Sequence, residues 1–210
     1  MNAAKDAQFW NSVAEKYARS TIADPVGYER TLNCTRDHLV FEDRVLELGC
    51  GTGTTALRLA HSVQFYLATD ISAQMIAIAQ EKLLKESVPG LRFETATVES
   101  LEDKLPFDVV LGFNYLHLVR DLHGTLQQIH ALLKVGGLFI SKTPCVGDMS
   151  ILVRLAIPLM RIAGKAPYAG IFQSSELERK IADAGFDIVT VENHASKGTE
   201  VRPFIVAHKR

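Results

Sequence analysis

Short apolar runs alternate with longer amphipathic runs along most of this chain. The short runs are rich in Val, Ile, Leu and Phe and are bounded by turn residues, which is typical of buried strands. They predict strands over 44–48, 65–69, 91–95, 107–112 and 138–142. The longer runs repeat apolar positions with helical spacing, and they predict helices over 54–61, from an N-cap at Ser72 through Lys85, and over 122–134.

The alternation predicts an α/β fold. Strands that alternate with helices form right-handed βαβ units, so we expect a doubly wound, Rossmann-like and mostly parallel sheet of seven strands. The chain ends differently, because a helix over 174–184, with Ser174 or Ser175 as its cap, precedes two strands at 186–192 and 201–207. A short polar loop joins these two strands, which must therefore form an antiparallel hairpin.

Length and charge bound the domain count and the partners. The chain has 210 residues, of which 47% are hydrophobic, and this is enough for one buried core. We therefore expect a single domain over 1–210. The formal net charge is -1, without the basic excess that is typical of nucleic-acid-binding proteins, so we expect no nucleic-acid partner.

Cysteine usage and hydropathy bear on the compartment. Cys34, Cys50 and Cys145 are scattered, and this pattern predicts neither a disulfide framework nor a metal site. The first twenty residues contain no apolar signal-peptide core. The most apolar stretch, 151–163, is too short to span a bilayer. These features predict a cytoplasmic protein with no integral membrane span.

The segment Val-Leu-Glu-Leu-Gly-Cys-Gly-Thr-Gly at 45–53 carries the clearest chemical signal. It lies between a predicted strand and a helix, where open α/β sheets bind their ligands, and its glycines allow a close backbone approach. Asp70 follows the next strand, where a carboxylate can accept hydrogen bonds from ribose hydroxyls. The third glycine of a dinucleotide fingerprint would fall at Thr54, and Glu47 would repel a diphosphate but attract a ligand ammonium group.

The segment 47–53, Glu-Leu-Gly-Cys-Gly-Thr-Gly, resembles the first motif of class I S-adenosylmethionine-dependent methyltransferases. Similar segments follow in the family's order at 68–75, 97–101, 107–110, 114–117, 132–138 and 178–186. The leader at 9–17 is similar to that of the small-molecule branch related to ubiquinone and menaquinone biosynthesis methyltransferases. The resemblance implies methyl transfer from S-adenosylmethionine to a small-molecule acceptor, and the apolar composition of 148–164 suits a hydrophobic one.

The resemblance also implies roles for particular residues. Asp70, Ile71 and Met75 correspond to the ribose-binding strand end, and Thr97, Val98 and Glu99 to the adenine-binding segment. Thr97 stands where the family usually has an Asp, so the adenine amino group loses a charged acceptor. The full set expected to bind the cofactor is Glu47, Gly49, Cys50, Gly51, Gly53, Asp70, Ile71, Met75, Thr97, Val98, Glu99, Asn114 and Tyr17.

Asn114, Tyr115 and His117 occupy the position of the family's methyl-transfer residues. His117 is our candidate catalytic residue, as a general base for the acceptor's proton. The alternative is a histidine that packs at the strand end and hydrogen-bonds to backbone. The sulfonium of the cofactor is already activated, so the protein needs only to align the acceptor with it, and no catalytic base is required. The sequence therefore leaves both roles of His117 open.

The expected domain has four parts: N-terminal helices over 1–42, a cofactor-binding half over 43–145, an apolar insertion over 146–172, and a C-terminal helix and hairpin over 173–210. The insertion's apolar core at 148–164 suits a substrate lid, a helix packed on the core or a homodimer interface, and these remain open. Three rival functions also remain: an NAD(P)-dependent oxidoreductase, a nucleic-acid methyltransferase, and a catalytically silent binding module of the same fold.

Overall fold

The computed structural model describes residues 3–101, 106–162, 166–197 and 201–210. Its helices are α1 Ala3–Ala18, α2 Pro25–Arg36, α3 Thr54–Leu59, α4 Ala73–Glu86, α5 Leu122–Leu132, α6 Ile151–Ile162 and α7 Ser174–Asp183. Its strands are β1 Arg44–Leu48, β2 Phe65–Asp70, β3 Leu91–Thr95, β4 Phe107–Phe113, β5 Leu133–Lys142, β6 Phe186–Glu192 and β7 Phe204–Lys209.

The seven strands form one sheet in the order β3-β2-β1-β4-β5-β7-β6. The pairs β2–β3, β1–β2, β1–β4 and β4–β5 are parallel, whereas β7 runs antiparallel to both β5 and β6. The predicted α/β fold, with a mostly parallel sheet and an antiparallel C-terminal hairpin strand, is confirmed. Apolar clusters cover both faces of the sheet, one around Val45 and Tyr66 and the other around Leu46 and Phe139.

Two strands differ from their predicted bounds. The predicted helix over 122–134 ends at Leu132, and β5 begins at Leu133 rather than at residue 138, because Leu133 is already extended with φ -86° and ψ 144°. The last strand begins at Phe204 rather than at residue 201. Pro203 has no N–H to donate to a strand ladder, so pairing with β5 starts with the residue that follows it.

The cap of α7 was predicted wrongly. Helix α7 begins at Ser174, and Gln173 occupies the cap position without a side-chain hydrogen bond to the helix. The backbone N–H and the hydroxyl of Ser174 both donate to the Asp148 carboxylate, at 2.7 and 2.6 Å. The Asp148 carboxylate therefore accepts a backbone N–H at the start of α7, which is the role that the sequence assigned to a serine side chain.

Helix α1 packs against α4 and lies beside the carboxyl edge of the sheet. Ala14 packs with Met75 and Ile78 of α4 in a small apolar cluster. The Asn11 side-chain oxygen accepts hydrogen bonds from the Ser72 hydroxyl at 2.7 Å and from the Gln74 N–H at 3.1 Å. Helix α1 thus helps to cap α4, whose predicted N-cap Ser72 is confirmed by its hydrogen bond from the Met75 N–H.

Helix α6 continues through Pro158. It carries exposed apolar side chains along its length: Ile151, Leu152, Val153, Leu155, Leu159 and Met160. Residues 163 and 164 of the predicted lid lie outside the described residues. No helix in the described ranges combines the length and apolarity that a membrane crossing requires.

Candidate functional site

A cavity of about 570 Å³ lies beyond the carboxyl ends of β1, β2 and β4. Its volume is within the range that small-molecule sites usually have. In a doubly wound sheet this edge, beside the reversal of strand order between β1 and β4, is where ligands bind. The cavity brings together most of the predicted site residues: Tyr17, Gly49, Gly51, Asp70, Ile71, Met75, Thr97, Val98, Glu99, Asn114 and His117.

The glycine loop after β1 forms one wall of the cavity. Gly49 and Gly51 have φ values of +69° and +55°, a left-handed backbone that favours glycine. A Cβ atom on Gly49 would lie 2.8 Å from Cδ2 of Tyr115, which is too close for a side chain at this position. The sequence Gly-x-Gly is thus required here by backbone conformation and by the aromatic ring packed over it.

Asp70 is held by the glycine loop and by the start of α4. Its Oδ2 accepts a hydrogen bond from the Gly51 N–H at 2.9 Å, and its Oδ1 accepts one from the Ser72 N–H at 2.8 Å. A carboxylate oxygen has two lone pairs, so each oxygen retains capacity for one further donor. Asp70 lines the cavity, and it therefore presents a fixed pair of acceptors suited to two adjacent hydroxyl groups.

Glu47 does not line the cavity, contrary to the prediction that it faces a ligand ammonium group. Its side chain is buried, and the Tyr66 hydroxyl donates to its Oε2 at 2.8 Å. The physical reason is strand alternation: Glu47 shares the face of β1 that carries Val45, whereas Leu48, on the other face, reaches the cavity. Glu47 therefore belongs to a buried polar pair behind the site.

Gly53 and Cys50 also lie outside the cavity lining. A Cβ atom on Gly53 would lie 2.6 Å from Cζ of Phe93 and 2.8 Å from Cβ of Ala79. Gly53 thus lets the start of α3 pack closely against α4 and β3. Cys50 is buried in the core, and its thiol donates to the Gly51 carbonyl at 3.7 Å. Both positions serve packing of the loop, and their predicted cofactor contact is not seen in this arrangement.

Burial of Glu47 makes stability depend on pH. Burial raises the pKa of this carboxyl from 4.5 to about 7, against the opposing effect of the Tyr66 hydrogen bond. Between these values the unfolded chain loses the proton while the folded protein keeps it, so stability falls as the pH rises towards the folded pKa. We expect Glu47 to lower the free energy of unfolding by about 2 kcal/mol between about pH 5 and pH 7.

The substitution Glu47→Gln tests this contribution, because the amide keeps an acceptor for Tyr66 and does not titrate. Urea unfolding of the ligand-free protein at the two pH values measures the slope. The variant is expected to lose less stability than wild type on raising the pH. The exposed Asp187→Asn serves as a control. Equal slopes in wild type and Glu47→Gln would contradict the buried, protonated state.

His117 lies in the cavity wall with a buried ring. Burial, and secondarily the positive charge of Arg202, lower its pKa to about 4, so the ring is neutral at neutral pH. Its Nδ1 atom is buried and has no hydrogen-bond partner within the described part of the chain. The His117 carbonyl accepts from the Gly170 N–H at 2.7 Å, which ties this strand end to the segment after α6.

Asn114 adopts a left-handed backbone with φ +52°, which is uncommon for a residue with a side chain. Its N–H donates to the Lys142 carbonyl at 2.7 Å, so the turn after β4 is fixed to the end of β5. Unusual backbone conformations of this kind concentrate at functional sites. Tyr115 follows and packs over Gly49, and burial raises the pKa of its hydroxyl.

Helix α1 closes one side of the cavity with Asp6, Trp10 and Tyr17. Both Nε and Nη2 of Arg120 donate to the Asp6 carboxylate at 2.9 Å, and this bidentate pair joins α1 to the segment after β4. Burial raises the pKa of Tyr17, and the nearby Asp70 carboxylate adds to the rise. Tyr17 was predicted to contact the cofactor, and its position in the cavity wall is compatible with that prediction.

Some lining residues had no counterpart in the sequence reasoning. Trp10 lines the cavity, and it lies within the leader at 9–17. The family resemblance of that leader could have predicted that Trp10 belongs to the site. Asp6 and Arg120 are separated by 114 positions, and no local pattern links them. Arg202 follows the loop before β7 and reaches the same cavity. The predicted lid behaves differently, because none of the α6 side chains that the structure describes, those of 151–160, lines the cavity.

A doubly wound sheet with one antiparallel hairpin strand, a glycine loop and a fixed carboxylate at its carboxyl edge defines a Rossmann-like nucleoside-binding protein. Among solved structures, the fold is similar to magnesium protoporphyrin IX methyltransferase of Synechocystis PCC 6803 with bound S-adenosylhomocysteine. The TM-score is 0.76, with 18% identity over all of both chains. YcgJ of Bacillus subtilis has a TM-score of 0.68 at 19% identity, over 87% of this chain and 99% of YcgJ.

Sequence comparisons match part of the chain to methyltransferases. A family model described as a methyltransferase domain matches residues 46–139. The ubiquinone biosynthesis O-methyltransferase of Chelativorans sp. (strain BNC1) is 27% identical over 84% of this chain and 70% of its own length. The malonyl-[acyl-carrier protein] O-methyltransferase of Magnetococcus marinus is 37% identical over 50% of this chain and 38% of its own length.

Residues 46–139 therefore match a methyltransferase domain, and the matches support S-adenosylmethionine as the cofactor. The chain spans about two fifths of the length of the first curated relatives it matches, at 40% and 42%.

Proposed function

We propose that this protein transfers a methyl group from S-adenosylmethionine to a small, apolar acceptor. The observation that carries the proposal is the cavity in which the glycine loop and Asp70 meet, within a chain that matches a methyltransferase domain. Near-neutral net charge supports a small molecule over a nucleic acid as the acceptor.

The residues in the cavity fit the proposed cofactor. We assign the ribose hydroxyls to Asp70, because each of its oxygens retains one acceptor site. We assign the adenine to the segment Thr97, Val98 and Glu99, with Ile71 and Met75 as apolar neighbours. We assign the amino-acid part to the backbone of Gly49 and Gly51, which lines the cavity. Glu47, being buried behind the loop, is left out of this assignment.

When bound, S-adenosylmethionine supplies an activated methyl group on a sulfonium, so the protein contributes mainly alignment and exclusion of water. Trp10 and Tyr17 on α1 cover the cavity, and the Asp6–Arg120 pair holds that helix in place. We assign alignment of the acceptor to Asn114, Tyr115 and His117, which follow β4 and line the cavity.

We propose that His117 accepts a hydrogen bond from the acceptor and takes its proton as the methyl group is transferred. Its place in the cavity wall and its neutral ring support this role over that of a packing histidine. A pKa of about 4 makes it a weak base in the ligand-free protein. The role therefore depends on a change of environment when an acceptor fills the cavity.

The rival functions are less well supported. An NAD(P)-dependent oxidoreductase is disfavoured by Thr54, where a dinucleotide loop has its third glycine. A catalytically silent module would bind the cofactor without turnover. Whether α6 is a lid, or an interface in a homodimer, remains open within the proposal. We place the protein in the cytoplasm, and the free thiols of Cys34, Cys50 and Cys145 are compatible with a reducing compartment.

A transfer assay with methyl-labelled S-adenosylmethionine and a panel of apolar hydroxyl and carbon-acid acceptors tests the function. Wild type is expected to label at least one acceptor, and His117→Gln to lower kcat by about 100-fold or more with unchanged cofactor affinity. His123→Gln, on the exposed surface of α5, is the matched control. Cofactor binding without labelling of any acceptor would favour the silent module. Full activity in His117→Gln would remove the proton-acceptor role.

A further inference from the structure

A second cluster of reactive side chains lies outside the cavity, where α2 meets the end of β6. It comprises Cys34 of α2, Glu192 at the end of β6, and His194. Their ligand atoms Sγ, Oε2 and Nε2 lie within 4.8 Å of one another. Glu192 Oε2 is 3.9 Å from Cys34 Sγ and 3.0 Å from His194 Nε2. None of the three lines the cavity described above.

The Thr31 hydroxyl lies at hydrogen-bond distance from three neighbours. It is 2.9 Å from the Gly27 carbonyl, to which it can donate, and 3.3 Å from Lys142 Nζ, from which it accepts. It is 3.0 Å from His194 Nδ1, and the direction of this hydrogen bond depends on the tautomer of the ring. In either tautomer Thr31 fixes the orientation of the His194 ring, with Nε2 towards Glu192.

The other ring nitrogen, Nε2, lies 3.0 Å from a carboxylate oxygen of Glu192. When Nε2 carries no proton, both atoms offer lone pairs to a cation between them. The thiol of Cys34 completes the group of donor atoms on the open side of this contact.

We propose that Cys34, Glu192 and His194 bind a divalent transition metal of the zinc class. Thiolate, imidazole and carboxylate are the ligands that zinc takes in proteins, and three of them leave a fourth position for water. The hydrogen bond between Nδ1 and Thr31 fixes the ring, as the outer partners of metal-binding histidines do. Sequence analysis expected no metal because the cysteines are scattered. Cys34 and Glu192 are 158 positions apart, far beyond any ligand-spacing motif.

The surroundings hold the ligands in place. The His194 ring is fully buried and stacks on Phe204, with ring centroids 4.4 Å apart. The adjoining loop is tied to the start of α2, since the Ser196 N–H donates to the Asp24 carboxylate at 2.8 Å. A bound metal would cross-link α2 to the hairpin, and binding to the folded state alone raises its stability.

Titration of the chelator-treated full-length protein with Co²⁺, and then with Zn²⁺, tests the site. We expect one molar equivalent of Co²⁺ to bind with a thiolate-to-cobalt charge-transfer band in the near ultraviolet. We expect Zn²⁺ to displace it and to raise the melting temperature. Cys34→Ser is expected to abolish the band, and both Cys34→Ser and Glu192→Gln to weaken Zn²⁺ binding by about tenfold or more.

Both variants alter partly or fully exposed residues, so they are expected to fold. The control is His38→Gln, which replaces a histidine that lies near Cys34 in the sequence but outside the cluster. Failure of Co²⁺ to bind would overturn the proposal. So would binding that Cys34→Ser and Glu192→Gln leave unchanged.

Discussion

Replacing Asp70 by alanine is expected to weaken binding of S-adenosylhomocysteine by about 100-fold or more. The reason is the loss of two hydrogen bonds from ribose hydroxyls to a charged acceptor, each worth about 1.5–3 kcal/mol. Their sum of at least about 3 kcal/mol corresponds to about two factors of ten in the dissociation constant. Isothermal titration calorimetry of both proteins with the product measures the difference.

Two further variants separate the ribose contact from general damage. Asp187→Ala removes a carboxylate from the exposed surface of β6 and is expected to bind like wild type. Asp70→Asn keeps the shape, but its amide group must turn a donor towards the N–H of either Gly51 or Ser72, so we expect weak binding here as well. Binding by folded Asp70→Ala within twofold of wild type would contradict the assignment.

The substitution Gly53→Ala is expected to destabilise the fold by about 2–5 kcal/mol. Alanine at φ +75° costs about 1–2 kcal/mol, and overpacking adds about 1–3 kcal/mol. The overpacking arises because the methyl group would lie 2.6 Å from Cζ of Phe93 and 2.8 Å from Cβ of Ala79. In a chain of this size the melting temperature is expected to fall by roughly 5–20 °C.

The chain offers matched controls for this change. Gly136 has φ +74° with no atom within 4 Å of a built Cβ, so Gly136→Ala measures the backbone cost alone, about 1–2 kcal/mol. Gly51→Ala has a similar backbone cost but faces the cavity near Tyr17, and it is expected to weaken cofactor binding. If Gly53→Ala were as stable as Gly136→Ala, the tight packing at Gly53 would be refuted.

The sequence predicted the sheet well because its signals are local. The run at 44–48 carries three apolar residues and is followed at once by glycines, which tolerate the left-handed backbone of the loop, so β1 and its loop were predictable. The Ser72 cap and the position of Asp70 followed from the same short stretch. These features depend on residues within a few positions of one another, and a single sequence contains that information.

The errors concern contacts between distant parts of the chain. Glu47 and Gly53 belong to the glycine motif, but strand pairing and helix packing direct them away from the cavity. The ion pair of Asp6 with Arg120 depends on how α1 folds back over the sheet, which no short pattern encodes. The cluster around His194 likewise arises only when α2 and the hairpin meet.

The central claim is that the cavity between the glycine loop and Asp70 binds S-adenosylmethionine. Calorimetric titration of the wild-type protein with S-adenosylhomocysteine, and separately with NAD⁺ and NADP⁺, tests it most directly. The account predicts saturable binding of S-adenosylhomocysteine in the micromolar range and none of either dinucleotide. Tight binding of a dinucleotide, with no binding of S-adenosylhomocysteine, would contradict it.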